Sequence, residues 1–245
     1  MSRKVLADYN GYDYKKIFWE DADREYEDAA DRMAIRKLLP EKMGEFADLC
    51  GGYGRLADEY LSRAKHATLF DYSKTELEQA QEKYHGKLST VAGDIYEMPF
   101  SDGNFDAVMM IRATHHFEHL DRAMREIHRI LKTDGVAVVE VANKKTLPKK
   151  IRYILRRSKV NPYSLEPQKI DGYNIINYHP KYVEKVFKEA GFKIDKVLSV
   201  SNFRSGKLKK MFGTKRLIRM ENRAQGGLLA KMRFAPSIYY RLIKI

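Results

Sequence analysis

The 245-residue sequence contains a single cysteine, Cys50, and no apolar run approaching the length of a membrane span. One cysteine excludes an internal disulfide and is compatible with a reducing compartment. The first 25 residues are polar and aromatic, unlike a signal peptide. There is no Cys/His cluster or spaced acidic triad typical of a metal site. We therefore expect a cytoplasmic, metal-free globular chain of one domain with appended segments.

Acidic residues are scarce in the last third of the chain. Residues 141–245 hold 26 Lys and Arg against 6 Asp and Glu, whereas residues 1–140 hold 20 against 27. The net charge of +13 therefore comes entirely from the later segments. Such a distribution indicates either an anionic partner or a well-solvated surface.

The most informative run is Phe46-Ala-Asp-Leu-Cys-Gly-Gly-Tyr-Gly-Arg-Leu56, a short strand leading into a glycine cluster. Glycines at a strand-to-helix turn allow a tight bend and close approach of a ligand to the backbone. The next strand, 67–71, ends at Asp71, 17 residues after Gly54, and a third strand ends at Asp94. An acid at about that spacing suits the hydroxyls of a ribose. The pattern predicts a cofactor-binding α/β domain.

Two cofactor classes fit the glycine cluster. Gly52 to Ala57 satisfies the dinucleotide pattern G-x-G-x-x-G/A, which favours a nicotinamide or flavin. A pyrophosphate, however, needs bare N–H groups and a positive helix end, and the carboxylate of Asp48 would repel it. S-adenosylmethionine carries a cationic sulfonium and a cationic ammonium, so acids beside the loop suit it better.

Asp48 to Gly54 resembles the first motif of class I S-adenosylmethionine-dependent methyltransferases, in the broad branch that acts mostly on small molecules. Residues 105–111 and 126–135 are similar to that family's fourth strand and to its helix and turn before strand five. Cys50 stands where the family has a glycine, and we expect its φ to remain negative. The resemblance implies a Rossmann-like doubly wound α/β sheet, mostly parallel with an antiparallel last strand, and helices on both faces.

The resemblance also assigns the cofactor site. It implies S-adenosylmethionine as cofactor and S-adenosylhomocysteine as product, with Asp71 on the ribose, Tyr72 against the adenine, and Asp94 and the Ile95 N–H on the adenine edge. The remaining predicted cofactor contacts lie in the glycine loop and after strand four: Asp48, Cys50, Gly52, Gly54, Ile111 and Arg112. Arg112 departs from the small or apolar residue that the family has after strand four. It could neutralise a carboxylate on the cofactor or on the substrate, or equally pair with Asp94 or Glu118.

Catalytic candidates follow strand four, at the carboxyl edge where such sheets bind ligands. His115 and His116 lie there, and histidine can take a proton from a hydroxyl at neutral pH. The alternative interpretation is that these histidines pack or anchor the loop.

An aromatic cluster near the N-terminus precedes and enters a predicted amphipathic helix over 18–39, which Pro40 stops. In enzymes that this chain resembles, such N-terminal segments cover the cofactor and line the acceptor pocket, so the resemblance makes Tyr14, Trp19 and Tyr26 pocket candidates. Ordinary aromatic burial of the helix against the sheet explains them equally well.

The chain divides into an N-terminal helical cap (1–44), a cofactor-binding core (45–142), a basic insertion (143–179) and a C-terminal part (180–245) with a second basic insertion (204–233). The predicted elements beyond the strands above are helices from Arg55, from Ser73 (with a Ser73–Glu76 capping box), over 119–132 and over 180–190, and strands over 136–141, 192–200 and 237–243.

Each insertion alternates apolar residues with Lys and Arg at helical spacing. A basic amphipathic helix can lie on an anionic membrane or follow a phosphate backbone. It can also form a lid whose apolar face covers the pocket.

Three function classes follow. The first is a methyltransferase acting on O, N or C of a small molecule. The second is a methyltransferase for RNA or a membrane-associated lipid or quinone, with the basic third as its contact. The third is a non-catalytic S-adenosylmethionine-binding protein, which the acids at 48, 71 and 94 argue against. The sequence does not indicate an oligomeric state.

Overall fold

A computed structural model describes Trp19, residues 24–169 and residues 175–245, without the side chain of residue 229. Tyr14 lies outside the described residues. The helix predicted over 18–39 runs from Glu25 to Leu38 within the described residues. Leu39 is extended because the residue before a proline is sterically disfavoured in the helical region.

The described residues form these elements in chain order: α1 (Glu25–Leu38), β1 (Met43–Leu49), β2 (Ala64–Asp71), α2 (Lys74–Tyr84), β3 (Ser89–Ala92), β4 (Phe105–Met110), α3 (Leu120–Ile130), β5 (Leu131–Ala142), α4 (Leu147–Ile154), β6 (Gln168–Lys169), β7 (Ile176–Asn177), α5 (Pro180–Glu189), β8 (Phe192–Val200), α6 (Gly206–Phe212), α7 (Thr214–Ala224), α8 (Gly227–Met232) and β9 (Ser237–Lys244).

A seven-stranded sheet has the order β3-β2-β1-β4-β5-β9-β8. The first five strands pair in parallel, and β9 pairs antiparallel with both β5 and β8. This confirms the predicted Rossmann-like sheet with an antiparallel last strand. The strand order reverses between β1 and β4, and the carboxyl ends of these strands flank the crevice where such sheets bind ligands.

Helices cover both faces of the sheet, because side chains alternate between the faces along each strand. On one face, Val108 and Met110 of β4 pack in the same cluster as Leu120 of α3 and Phe187 of α5. On the other face, Met109 shares a cluster with residues of α1 and α2. Burial on both sides requires mostly apolar side chains in the central strands and fixes the positions of their carboxyl ends.

The predicted helix from Arg55 is wrong. The chain after the glycine loop forms turns and a single 3₁₀ turn, Ala57–Glu59. Its backbone bonds span three residues, as in Ala57 N–H to Gly54 O at 3.1 Å and Tyr60 N–H to Ala57 O at 3.1 Å.

The predicted capping box is confirmed on one side only. The Ser73 hydroxyl accepts from the Glu76 N–H at 3.4 Å and starts α2. The Glu76 carboxylate turns to the glycine loop, where its Oε2 accepts from the Tyr53 N–H at 3.1 Å. The other predicted helices and strands appear with small shifts of their ends, the largest at β5, which begins at Leu131.

Candidate functional site

A cavity of about 360 Å³ opens at the carboxyl edge of the sheet, around the ends of β1 to β4. Most of the predicted site residues line it: Trp19, Asp48, Cys50, Gly52, Asp71, Tyr72, Asp94, Ile95, Ile111, Arg112 and His116. Gly54, His115 and Tyr26 are not among the lining residues. The predicted cofactor contacts are therefore brought together almost completely.

Three residues of the glycine loop have positive φ: Cys50 (56°), Gly52 (55°) and Gly54 (71°). The expectation that Cys50 keeps a negative φ is therefore wrong. The Cys50 N–H donates to the Phe70 carbonyl at 2.6 Å, which continues the β1–β2 ladder and fixes the turn. A non-glycine residue in this conformation costs roughly 1–2 kcal/mol, which Cys50 carries as strain.

Gly51 is required for a different reason, which is space. A Cβ at this position would lie 2.4 Å from Leu69 Cδ1 and 2.6 Å from Asp48 Cγ. Only a residue without a side chain lets the loop pass this close to the core beneath it.

Asp71 joins the end of β2 to the glycine loop. Its Oδ2 accepts from the Gly52 N–H at 2.9 Å, and its Oδ1 accepts from the Ser73 N–H at 2.8 Å. Burial raises the pKa of the Asp71 carboxyl, and these N–H donors offset part of the rise. A carboxylate has about four acceptor positions, so each oxygen can take a further hydrogen bond from a ligand.

Asp48 is buried at the cavity wall, with 2% of its surface exposed. Its Oδ2 has no hydrogen-bond partner among the residues that the structure describes. Burial raises the pKa of this carboxyl to about 8. An acid of this kind ionises readily only when a cation is placed beside it, so the site fits a ligand that brings positive charge.

Asp94 completes the row of acids at successive strand ends. Its Oδ1 accepts from the Tyr96 N–H at 2.9 Å, which shapes the turn after β3. The Tyr96 ring contacts that of Phe117 edge-on, with centroids 6.1 Å apart. Tyr96, Phe117 and Glu76 all line the cavity, and sequence reasoning missed them. The sequence did contain a signal for Glu76, because an acid three residues after Ser73 is close enough to reach back to the glycine loop.

Arg112 pairs with Asp31 of α1, and not with Asp94 or Glu118 as the sequence suggested. Asp31 is fully buried and also accepts from Arg55 Nη2 at 2.9 Å and from the Tyr239 hydroxyl at 2.7 Å. The Trp19 ring lies over the Arg55 guanidinium, with 3.6 Å between the ring centroid and Cζ. These contacts fix the N-terminal helix beside the glycine loop and the end of β4.

The two catalytic candidates differ in placement. His116 lines the cavity, whereas His115 does not, although their ring centroids are 4.0 Å apart. Burial, with smaller contributions from His116 and Arg112, lowers the pKa of His115 to about 3. His115 is therefore neutral at physiological pH, and of these two candidates only His116 faces the cavity, which His119 also lines.

Tyr26 lies in the interior of the fold. Its hydroxyl donates to Glu221 Oε2 at 2.6 Å and accepts from the Phe203 N–H at 2.8 Å. The bond to Glu221 joins α1 to α7, which agrees with the packing interpretation for Tyr26 and not with a place in the acceptor pocket.

The first basic insertion does not cover the cavity with its apolar side chains. In α4, Leu147, Ile151 and Ile154 are exposed, and no described residue between 144 and 169 lines the cavity. Over residues 24–169 and 175–245, no cluster of three His, Cys, Asp or Glu side chains is arranged to hold a metal.

Comparison with known sequences agrees with this site. Residues 47–139 match a family model described as a methyltransferase domain. The chain is 27% identical over 104 residues to a ubiquinone/menaquinone biosynthesis C-methyltransferase of Rubrivivax gelatinosus, covering 42% of this chain and 41% of that protein. It is 33% identical over 103 residues to an uncharacterised protein of Methanocaldococcus jannaschii, covering 42% and 45%. The chain spans about half the length, or less, of the curated relatives it matches.

Solved structures show the same fold over nearly the whole chain. A SAM-dependent methyltransferase of Thermotoga maritima superposes with a TM-score of 0.64 at 18% identity, covering 94% of this chain and 98% of that one. A methyltransferase of Haloferax volcanii, solved with the Trm112 activator, gives 0.65 at 15% identity, with 94% and 95% covered.

Residues 47–139 therefore form a methyltransferase domain, and the fold and the cavity are those expected of a class I S-adenosylmethionine-dependent methyltransferase. The described residues contain no helix long and apolar enough to cross a membrane.

Proposed function

We propose that this chain is a cytoplasmic enzyme that transfers a methyl group from S-adenosylmethionine to O, N or C of a small-molecule acceptor. The observation that carries the proposal is the row of three carboxylates, Asp48, Asp71 and Asp94, at the carboxyl ends of adjacent strands around one cavity. The cofactor supplies an electrophilic methyl carbon, and the protein supplies position and exclusion of water.

The strand order suggests how two ligands would share the cavity. Asp71 is suited to accept from the ribose hydroxyls, and Asp94 with the Ile95 N–H is suited to the adenine edge, beside the exposed Tyr72 ring. Asp48 and the loop around Gly52 would hold the cationic amino-acid end. These groups belong to β1, β2 and β3 or follow them, on one side of the crevice.

The residues that follow β4 are left for the acceptor. His116 and Phe117 lie on that side, and Trp19 closes it from the N-terminal segment. His116 is placed to take a proton from an acceptor hydroxyl or amine. Arg112 is already paired with Asp31, so we assign it to holding the wall of the cavity rather than to binding a carboxylate.

The proposal is tested by calorimetry with S-adenosylmethionine, S-adenosylhomocysteine and NADH. We expect saturable heat with both adenosyl ligands and none with NADH. Heat with NADH alone would disprove it. Incubation of the protein and a labelled methyl donor with fractionated metabolite extracts then identifies the acceptor.

A lipid or quinone acceptor is the second candidate. It is favoured by the exposed apolar side chains of α4 and by the likeness to quinone-biosynthesis methyltransferases. A methyl label recovered in the organic phase of the extract would favour it over a water-soluble acceptor.

A further inference from the structure

The first basic insertion presents an apolar helix face to solvent. Leu147, Ile151, Ile154 and Leu155 lie at positions i, i+4, i+7 and i+8, so they share one side of α4 and its end. Their side chains are between 49% and 67% exposed. Such a contiguous apolar surface is unfavourable in water and marks a contact site.

Positive charge surrounds this face without compensation. Arg152, Arg156, Arg157 and Lys159 are all exposed, and none forms an ion pair within the part of the chain that the structure describes. Residues 141–165 contain no Asp or Glu. The partner of this face must therefore tolerate aliphatic side chains and carry negative charge.

The start of the helix is anchored to the rest of the fold. Thr146 caps it by accepting from the Lys149 N–H at 3.4 Å. Lys149 Nζ donates to the Asn143 carbonyl at 2.9 Å and to Asn177 Oδ1 at 2.8 Å. Burial lowers the pKa of Lys149 to about 8, with nearby Arg204 adding to the effect. Lys149 thus packs inward, whereas Arg152, Arg156 and Arg157 are exposed to solvent.

The face lies at the same edge of the sheet as the cavity. β5 runs parallel to β1–β4, so α4 starts at the carboxyl edge. The second insertion follows β8, which also ends at this edge because β9 is antiparallel to both β5 and β8. Its helix α6 also exposes two apolar side chains, Met211 and Phe212.

We propose that α4 and residues 155–165 form a docking face for an anionic lipid bilayer. The aliphatic side chains would enter the boundary between headgroups and acyl chains, and the arginines would bind lipid phosphates. Tyr153 and Tyr163, whose ring centroids are 6.2 Å apart, supply the amphipathic rings that favour this boundary. RNA fits less well, because phosphate binding makes no use of exposed leucine and isoleucine.

The inference goes beyond the proposed function and does not depend on it. Docking by this face would turn the cavity edge of the sheet toward the bilayer.

The test is co-sedimentation of the whole chain with phosphatidylcholine vesicles, with and without phosphatidylglycerol, at low and moderate salt. We expect at least tenfold tighter binding to the anionic vesicles at low salt, and a loss of several-fold at moderate salt. The variant Arg152→Gln/Arg156→Gln/Arg157→Gln/Lys159→Gln should lose that preference. Ile151→Asp/Ile154→Asp should weaken binding at least tenfold.

The matched charge control removes four exposed lysines from the opposite edge of the sheet: Lys65, Lys87, Lys188 and Lys193, each changed to Gln. This variant should bind vesicles within about twofold of the unchanged protein, because it loses only the general electrostatic attraction. Ile245→Asp, at an exposed site on that same opposite edge, is the apolar control. Equal losses in the two charge variants would overturn the proposal, as would no salt-sensitive vesicle binding. So would tight binding to mixed RNA that the Ile→Asp changes leave intact.

Calorimetry with S-adenosylhomocysteine keeps the two proposals separate. Docking variants should retain its affinity. A chain that binds vesicles through this face but no adenosyl ligand would retain the docking proposal and reject the proposed function.

Discussion

The carboxylate of Asp31 binds the guanidinium of Arg112 through both oxygens, with Nε 2.8 Å from Oδ2 and Nη2 3.1 Å from Oδ1. Asp31 belongs to α1 and Arg112 follows β4, 81 residues later. The pair joins the N-terminal helix to the edge of the sheet that forms the cavity, so the position of the helix and the shape of the site depend on each other.

Replacing Asp31 by Asn should destabilise the fold by about 3–5 kcal/mol, because it removes the carboxylate paired with the buried Arg112 guanidinium. Arg55 keeps its ion pair with Asp28. Urea unfolding at pH 7 measures this, with exposed Glu41→Gln as a control expected to stay within about 0.5 kcal/mol. Arg112 and Arg55 hold the pKa of Asp31 below its ordinary value despite burial. The stabilisation from ionised Asp31 is therefore present above the ordinary pKa of an aspartate and is lost as pH falls through the lowered pKa. The free energies of unfolding of Asp31→Asn and of the unchanged protein should converge in acid. Equal stability at pH 7 would contradict this account.

Asp71→Ala should weaken S-adenosylhomocysteine binding by about 1.5–3 kcal/mol, the range for losing hydrogen bonds to a charged group. Calorimetry checks it. Glu82→Ala, an exposed change on α2, is the control and should bind as the unchanged protein does. Asp71 also accepts from the Gly52 N–H, so a melting curve must show that the variant is folded. Unchanged affinity in the folded variant would remove Asp71 from the site.

Affinity for S-adenosylhomocysteine should rise with pH up to about 8, approaching tenfold per unit well below that value. Burial gives Asp48 a pKa of about 8, and the cationic end of the ligand needs this carboxyl ionised, so binding below pH 8 must release a proton. Asp48→Asn should abolish the slope and weaken binding. If the slope survives in that variant, another group is responsible.

The same group predicts the pH dependence of stability. Because the folded pKa of Asp48 is raised, its neutral form favours the fold at low pH, and that advantage is lost as pH rises toward 8. The free energy of unfolding of the Asp48→Asn variant should therefore rise relative to that of the unchanged protein between pH 5 and pH 9. A constant difference across this range would argue against the buried neutral carboxyl.

His116→Asn should lower kcat by about 10²–10⁴ for an acceptor that must lose a proton, the usual contribution of a positioned base. His115→Asn should act mainly on stability, because His115 is buried behind the cavity wall and stays neutral. Steady-state kinetics and melting curves on both variants separate the two effects. Equal losses of kcat with unchanged melting would contradict the assignment of His116.

The acidic lining of the cavity was predictable because its residues lie at the ends of consecutive strands. Asp48, Asp71 and Asp94 come together by the rule that carboxyl ends of parallel strands share an edge. The partner of Arg112 was not predictable, because it depends on where α1 packs against the sheet. The φ of Cys50 was mispredicted because the residue type suggested one conformation while the β1–β2 ladder imposes another.

β9 lies between β5 and β8, although it is the last of the described strands along the chain. During synthesis, β8 has no neighbour in the sheet until residues 237–244 have emerged, and the outer edge of β5 stays open for the same period. Open strand edges can pair with other chains. Two strand edges therefore stay open until this segment has emerged, and a pause before that point would favour misassembly.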